Sequence, residues 1–139
     1  MLSNEQLIRE LYACAEGDRR DFGRFVSHFA DEGYMRDMAS GTDFRGQAIA
    51  DSLNGLASAF PDVHRELLDI YVAGDVVVVE IAIRGTHRGE LNLPSGPLAP
   101  TGKRIDVPGC DVFHVQNGKV TSFHCYNSPF TMLQQLGAL

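Results

Sequence analysis

Over the first sixty or so positions apolar residues return every three or four places, and beyond them the spacing falls to two, so the chain divides into a helical front and a stranded back. Ser3 followed by Gln6 makes a capping-box pattern, after which Leu7, Ile8, Leu11, Tyr12 and Ala15 share one helical face as far as Gly17. A second, shorter pattern puts Phe22, Phe25, Val26 and Phe29 on one face and ends near Ala30-Asp31-Glu32-Gly33. Residues 33–37 suit a short strand. Beyond the turn-rich Ser40-Gly41-Thr42-Asp43 and Phe44-Arg45-Gly46, the positions Ile49, Leu53, Leu56 and Phe60 mark a third helix, which Pro61 stops.

From Val63 the period predicts four strands, over 63–73, 76–89, 105–115 and 119–127. They are divided by Gly74-Asp75, by a loop over 90–104 that carries Pro94, Pro97 and Pro100, and by Asn117-Gly118. Helices first and an antiparallel meander afterwards is the order of an α+β fold. The run Val76-Val77-Val78-Val79 does not alternate, so both of its faces call for cover. A helix supplies one side, and a second subunit is the expected cover for the other.

Composition narrows the function classes. The 139 residues suit one domain spanning 1–139, without internal repeat, and are enough to bury about two-thirds of the unfolded surface. A net charge of −6 disfavours nucleic acid and anionic membranes as partners, since both are captured by clustered Lys and Arg. An uncharged, apolar small molecule fits better. Cys14, Cys110 and Cys125 are odd in number and lack metal-type spacing, so neither a disulfide framework nor a metal site is expected, and buried thiols in a reducing cytoplasm are. The N-terminus lacks the basic and apolar regions of a leader, and no run is long enough to span a membrane.

Strand alternation then sorts the candidate chemistry. Asp111 shares a face with Val107, Phe113 and Val115. If that face lines a pocket, the carboxyl sits among apolar groups, its pKa rises, and as a neutral acid it can donate a hydrogen bond to a developing enolate. A solvated position at the sheet rim is the alternative. His114 is opposite in parity to Asp111, and His124 to Phe123, Cys125 and Asn127, so both histidines are expected to face away from such a pocket. Tyr12 lies on the stripe of Ile8 and Ala15, either as core or with its hydroxyl in the cavity. Arg36 stands next to Asp37 and is free to pair with a carboxylate. No Gly-x-Ser-x-Gly elbow, phosphate-cradling loop or His-Glu-x-x-His helix is present, and Cys125 without a basic partner reads as a small hydrophobe.

The series Ala59-Phe60-Pro61-Asp62, Gly74-Asp75-Val76-Val77-Val78-Val79, Gly85-Thr86-His87, Pro100-Thr101-Gly102-Lys103, Gly118-Lys119-Val120 and Gln134-Gln135-Leu136-Gly137 resembles, in order and spacing, the SnoaL-like polyketide cyclases. These belong to the nuclear transport factor two superfamily. The resemblance implies a cone of three N-terminal helices on a curved, largely antiparallel sheet around one apolar pocket, a homodimer, and no cofactor. It also places His87, as part of Gly-Thr-His, at the pocket mouth. The segment from Phe29 to Asp37 is similar to the ketosteroid isomerases of the same superfamily, in which a general base follows the second helix at this distance and an oxyanion-binding acid lies in a strand like that around Asp111. By this resemblance Asp37 is the base and protonated Asp111 the oxyanion donor, the acid/base division for which ketosteroid isomerase is a standard example. The family's oxyanion tyrosine in the first helix aligns with Glu10, and Tyr12 lies about half a turn away. SnoaL-like cyclases carry a catalytic aspartate near the end of the last strand, whereas this chain reads Phe123-His124-Cys125-Tyr126-Asn127 there.

The expected activity is therefore cofactor-free proton transfer beside the carbonyl of a small hydrophobic, polycyclic or polyketide-like compound, by aldol cyclisation or isomerisation through an enolate. Asp37 and Asp111 are the catalytic candidates; Tyr12, His87, Phe113, Phe123 and Asn127 are the substrate-binding ones. A non-catalytic hydrophobic-ligand-binding or accessory domain of the same fold is the alternative. Epoxide hydrolysis ranks last, because it needs an arginine between inward acids and Asp111 is flanked by Val107 and Phe113.

Overall fold

Four α-helices and eight β-strands make up the computed structural model, which describes all residues 1–139. Helix α1 (Asn4–Ala13) begins at the expected capping box: Ser3 Oγ accepts the Gln6 N–H at 3.1 Å and Gln6 Oε1 accepts the Ser3 N–H at 2.8 Å. A turn of 3-10 helix at Gly17–Arg19 leads into α2 (Phe22–Ser27), capped by Asp21. Strand β1 (Phe29–Asp37) starts earlier than the spacing suggests, because the apolar stripe of α2 ends at Val26 and Phe29 already belongs to the sheet. Gly33 permits this: a Cβ there would sit 2.6 Å from the carbonyl oxygen of Val120 in the adjoining strand. A short β2 (Thr42–Phe44) follows, then α3 (Gln47–Ala59).

Strands β3 (His64–Ala73) and β4 (Val76–Thr86) form a hairpin, and β7 (Arg104–Gln116) and β8 (Lys119–Asn127) form another. The main sheet runs β2-β1-β8-β7-β4-β3, antiparallel except where β1 lies parallel to β8. Register shifts in β1–β8, β3–β4 and β7–β8 mark bulges, the usual means by which a sheet bends around a cavity.

Four expectations are corrected. The third helix of the front is not the last: Pro129–Leu136 is a fourth helix, α4, with Ser128 as N-cap, Pro129 in its first turn and Gly137 as a left-handed C-cap at φ 69°. The loop over 90–104 contains a two-stranded hairpin, β5 (Leu91–Leu93) with β6 (Gly96–Leu98), and β4 ends at Thr86 instead of continuing to 89. Val76–Val79 does alternate in burial, with Val77 and Val79 fully enclosed and Val76 and Val78 half-buried on the outer face.

The inner face of the sheet, with Val77, Val79, Ile81, Phe113, Val115 and Phe123, packs under Ile8, Leu11, Phe25, Ile49 and Leu53 of the first three helices. A second cluster, around Phe60, Val63, Ile105, Val107 and Leu136, joins the end of α3 to α4. The outer face carries Tyr71 and Tyr126 exposed to solvent. No helix is long and apolar enough to cross a membrane.

Candidate functional site

Between the helices and the inner sheet face lies a cavity of about 230 Å³, walled mainly by apolar side chains including Leu53, Leu56, Ile81, Ile83 and Phe123. Its polar groups are few: Tyr12, Asp37, Ser52, Arg65, Asp111, Cys125 and Asn127. A second hollow of about 210 Å³ under α4 shares Asp37, Leu56, Ile83 and Asn127 with it, so the two adjoin at these residues.

Asp111 sits in the middle of β7, paired with Val79 on one side and Cys125 on the other. Alternation turns its side chain inward, as expected, and only 5 % of the residue is exposed. Its Oδ2 accepts the Tyr12 hydroxyl at 2.5 Å. Loss of water raises the carboxyl pKa to about 6, while the Tyr12 hydrogen bond and the positive charge of Arg65 hold it from rising further. Tyr12 itself is pushed up by burial and then by the Asp111 charge, so it remains a phenol and a donor. Its ring stands edge-on to Phe113, with centroids 5.8 Å apart.

Asp37 occupies the last position of β1, beside Cys125 of β8. It lines the cavity but is half-exposed, and its carboxylate is engaged by the turn that follows, accepting the Ala39 N–H at 3.2 Å and the Ser40 hydroxyl at 2.8 Å. A dry, unengaged general base is thus not what the structure shows at this position. Asn127 stands near the same opening, at the end of β8. Arg36 pairs with Asp43 across β1–β2, in a two-bonded arrangement at 2.6 and 3.1 Å, and not with Asp37.

Two substrate-binding candidates are corrected. Phe113 is fully enclosed behind the cavity wall, held between Tyr12 and Phe123, and is absent from the lining; the neighbouring Phe123 forms the wall instead. His87 is also fully buried, outside the cavity, against Phe60. Its Nδ1 accepts the Thr101 N–H at 3.1 Å, and its backbone exchanges hydrogen bonds with Gly102 and Lys103. The Gly-Thr-His segment therefore ties down the chain between the two hairpins. Thr86 completes the tie, giving its N–H and hydroxyl to Asp62 at 2.7 and 2.8 Å. His114 and His124 face outward as expected, toward Ser122 and Tyr34.

The residue that the sequence analysis missed is Arg65. It lies on β3 opposite Ile83 of β4 and lines the cavity with its side chain only 11 % exposed. Glu16 is 3.9 Å from its Nη1, which has no hydrogen-bond partner. The signal was parity: Val63, Arg65 and Leu67 alternate inward, whereas His64 and Glu66 point out and meet each other at 2.8 Å. Cys125, next to Asp111, has its thiol raised by burial and by that carboxylate, so it stays neutral.

Comparison with known proteins agrees with this architecture. The SnoaL-like polyketide cyclase family model matches residues 5–136. A candidate hydroxylase, AclR of Streptomyces galilaeus, superposes with a TM-score of 0.81 at 23 % identity, over 97 % of this chain and 85 % of its own. A candidate polyketide cyclase, IdmH of Streptomyces antibioticus, superposes at 0.80 and 21 % identity, over 96 % and 97 % of the two chains. A Catenulispora acidiphila protein of ketosteroid isomerase-like fold, solved with trimethylamine, does so at 0.80 and 22 %, over 99 % and 96 %. No curated protein sequence matches the chain.

Proposed function

Because the chain belongs to the SnoaL-like polyketide cyclase family, we propose that it is an enzyme of carbonyl chemistry in which Asp111 is the general base. The carrying observation is the enclosed Asp111 carboxylate, lining the cavity with the Tyr12 hydroxyl at 2.5 Å. A base is most effective when its pKa lies near the working pH, and a carboxyl at about 6 is mostly ionised at neutrality yet far more basic than a solvated one. This exchanges the roles expected from the ketosteroid isomerase resemblance. Asp111 accepts the proton, and Asp37 at the rim is left to the turn and the entrance.

In the proposed step the substrate C–H bond next to a carbonyl breaks, its proton passes to Asp111, and the electron pair moves onto the carbonyl oxygen. Tyr12 keeps its own proton and orients the carboxylate. Arg65 and the Asn127 amide are the donors for the enolate oxygen. The enolate then either attacks a second carbonyl of the same molecule, whose oxygen takes the proton from Asp111 as the new C–C bond forms, or takes the proton back at another carbon. The aspartate that the family resemblance implies on the last strand, and that this chain lacks there, is thereby replaced from the neighbouring strand, since Asp111 is the direct pairing partner of Cys125. A cavity of about 230 Å³ suits a compact ring system, and a larger one would extend into the hollow under α4. The same reading takes the protein as a homodimer joined through its outer sheet faces.

Hydrogen–deuterium exchange of 2-tetralone in deuterated buffer, followed by proton NMR, tests the proposal without knowledge of the natural substrate. The expected result is accelerated exchange that increases with pH through about 6 and then levels. Asp111→Asn is expected to lower it by about 10²- to 10⁴-fold. Binding of the ketone without any acceleration would favour a non-catalytic ligand carrier.

A further inference from the structure

On the far side of α1 from the Asp111 chemistry, three side chains of different ligand types converge. Glu10 and Cys14 lie one helical turn apart on the same face, and His28 reaches them from the C-terminal cap of α2. Their Oε, Sγ and Nε2 atoms all lie within 4.8 Å of one another, and Sγ to Nε2 is 3.9 Å. We propose that Glu10, Cys14 and His28 form a binding site for a divalent transition-metal ion of the zinc class, which clamps α1 to α2.

The distances suit such an ion. With metal bonds of about 2.3 Å to sulfur and about 2.0 Å to nitrogen or oxygen, tetrahedral ligand atoms stand roughly 3.5 Å apart, so only small side-chain movements close the site. The donors suit it as well. A thiolate with an imidazole selects zinc, cobalt or copper over magnesium and calcium, whose ligands are oxygens. Thiolate and carboxylate together balance the charge of a divalent ion. Backbone hydrogen bonds already hold the two ligand-bearing ends in place: the Cys14 carbonyl accepts the Asp21 N–H at 2.7 Å, and the His28 carbonyl accepts the Val120 N–H at 2.9 Å.

The two neighbouring ligands titrate in opposite senses for metal uptake. Burial lowers the His28 pKa, which favours the neutral, ligating imidazole. Burial and the Glu10 charge raise the Cys14 pKa, so the thiol is protonated in the ion-free protein and gives that proton to solvent on binding, at a cost to affinity that the metal–sulfur bond has to offset. The competitors are weak. Arg19 and Arg24 reach Glu10 only at 3.4 Å, from side chains that are 68 % and 62 % exposed, and surface pairs of this kind exchange readily. Three protein ligands leave one tetrahedral position to water. None of the three lines the cavity, so occupancy here is separate from the Asp111 site.

Cobalt(II) titration of chelator-treated protein, in a Cys110→Ser/Cys125→Ser background that leaves Cys14 as the sole thiol, tests the proposal by absorption spectroscopy. Expected are saturation at one equivalent, the visible bands of a tetrahedral site and a thiolate-to-cobalt charge-transfer band, all abolished by one equivalent of zinc. Cys14→Ser removes the charge-transfer band. Glu10→Gln and His28→Gln, at half-buried positions that can change without a core cavity, each weaken cobalt binding by at least about tenfold. Absence of a saturable transition would overturn the proposal, as would a charge-transfer band that survives Cys14→Ser or an affinity indifferent to both Glu10→Gln and His28→Gln.

Discussion

A carboxyl group stripped of water is held in a fold only if something else gains from it, and Asp111 is the residue at which this protein carries that cost. Its pKa is near 3.8 in the unfolded chain and about 6 in the folded one, so between these values the native state binds the proton more tightly. Stability from this group is therefore greatest at low pH and falls as pH rises from about 4 to about 6. This difference corresponds to about 3 kcal/mol. Asp111→Asn keeps an acceptor for Tyr12 and removes the ionisation. Urea denaturation from pH 4 to 8 is expected to show the variant gaining about 3 kcal/mol relative to wild type across that window. Parallel pH curves for the two proteins would show that the carboxyl is not strained. A gain in stability alongside loss of exchange would be the usual opposition between a working site and a restful one.

Between elements, the shared sequence motifs turn out to hold the scaffold. Asp62, just after Pro61, accepts two hydrogen bonds from Thr86, and Gly85 keeps the approach open: a Cβ there would stand 3.2 Å from Phe60 Cβ. Asp62→Ala is expected to destabilise the protein by about 1–2 kcal/mol in urea titration while leaving the pH midpoint of ketone exchange in place. A shifted midpoint would instead join this clamp to the site. The clamp also explains what could be read in advance. Periodicity located α1, α3 and the four long strands, and parity turned Asp111 inward and His114 and His124 outward, because both signals come from local geometry. His87 and Phe113 were assigned to the pocket and lie outside it, since neither motif nor parity distinguishes a cavity wall from the packed layer behind it. Arg65 is not legible in the same way, because a long cationic side chain at an inward position usually carries its charge out to water, and only the tertiary packing shows that this one stays 11 % exposed. The β5–β6 hairpin was hidden by its prolines, one of which, Pro97, pairs with Asn92 in a two-stranded ribbon whose edges tolerate a missing N–H.

At the scale of the whole molecule, a cone of helices on a bent sheet does two things: it isolates one carboxylate from water, and it leaves the reverse of the sheet bare. That outer face sets the half-buried Val76, Val78, Cys110 and Val112 beside the exposed Tyr71 and Tyr126. The proposed dimer covers it. Sedimentation equilibrium is expected to give twice the chain mass of 15.2 kDa, and Tyr126→Arg to return the monomer; a monomeric wild type would remove the dimer from the account. The central claim is the state of Asp111, and carbon-13 NMR titration of its carboxyl reads that state directly. A midpoint near 6 is expected in the wild type, moving to higher pH in Tyr12→Phe, where the hydrogen bond that favours the charged form is gone. A midpoint near 4 in both proteins would contradict the enclosed general base.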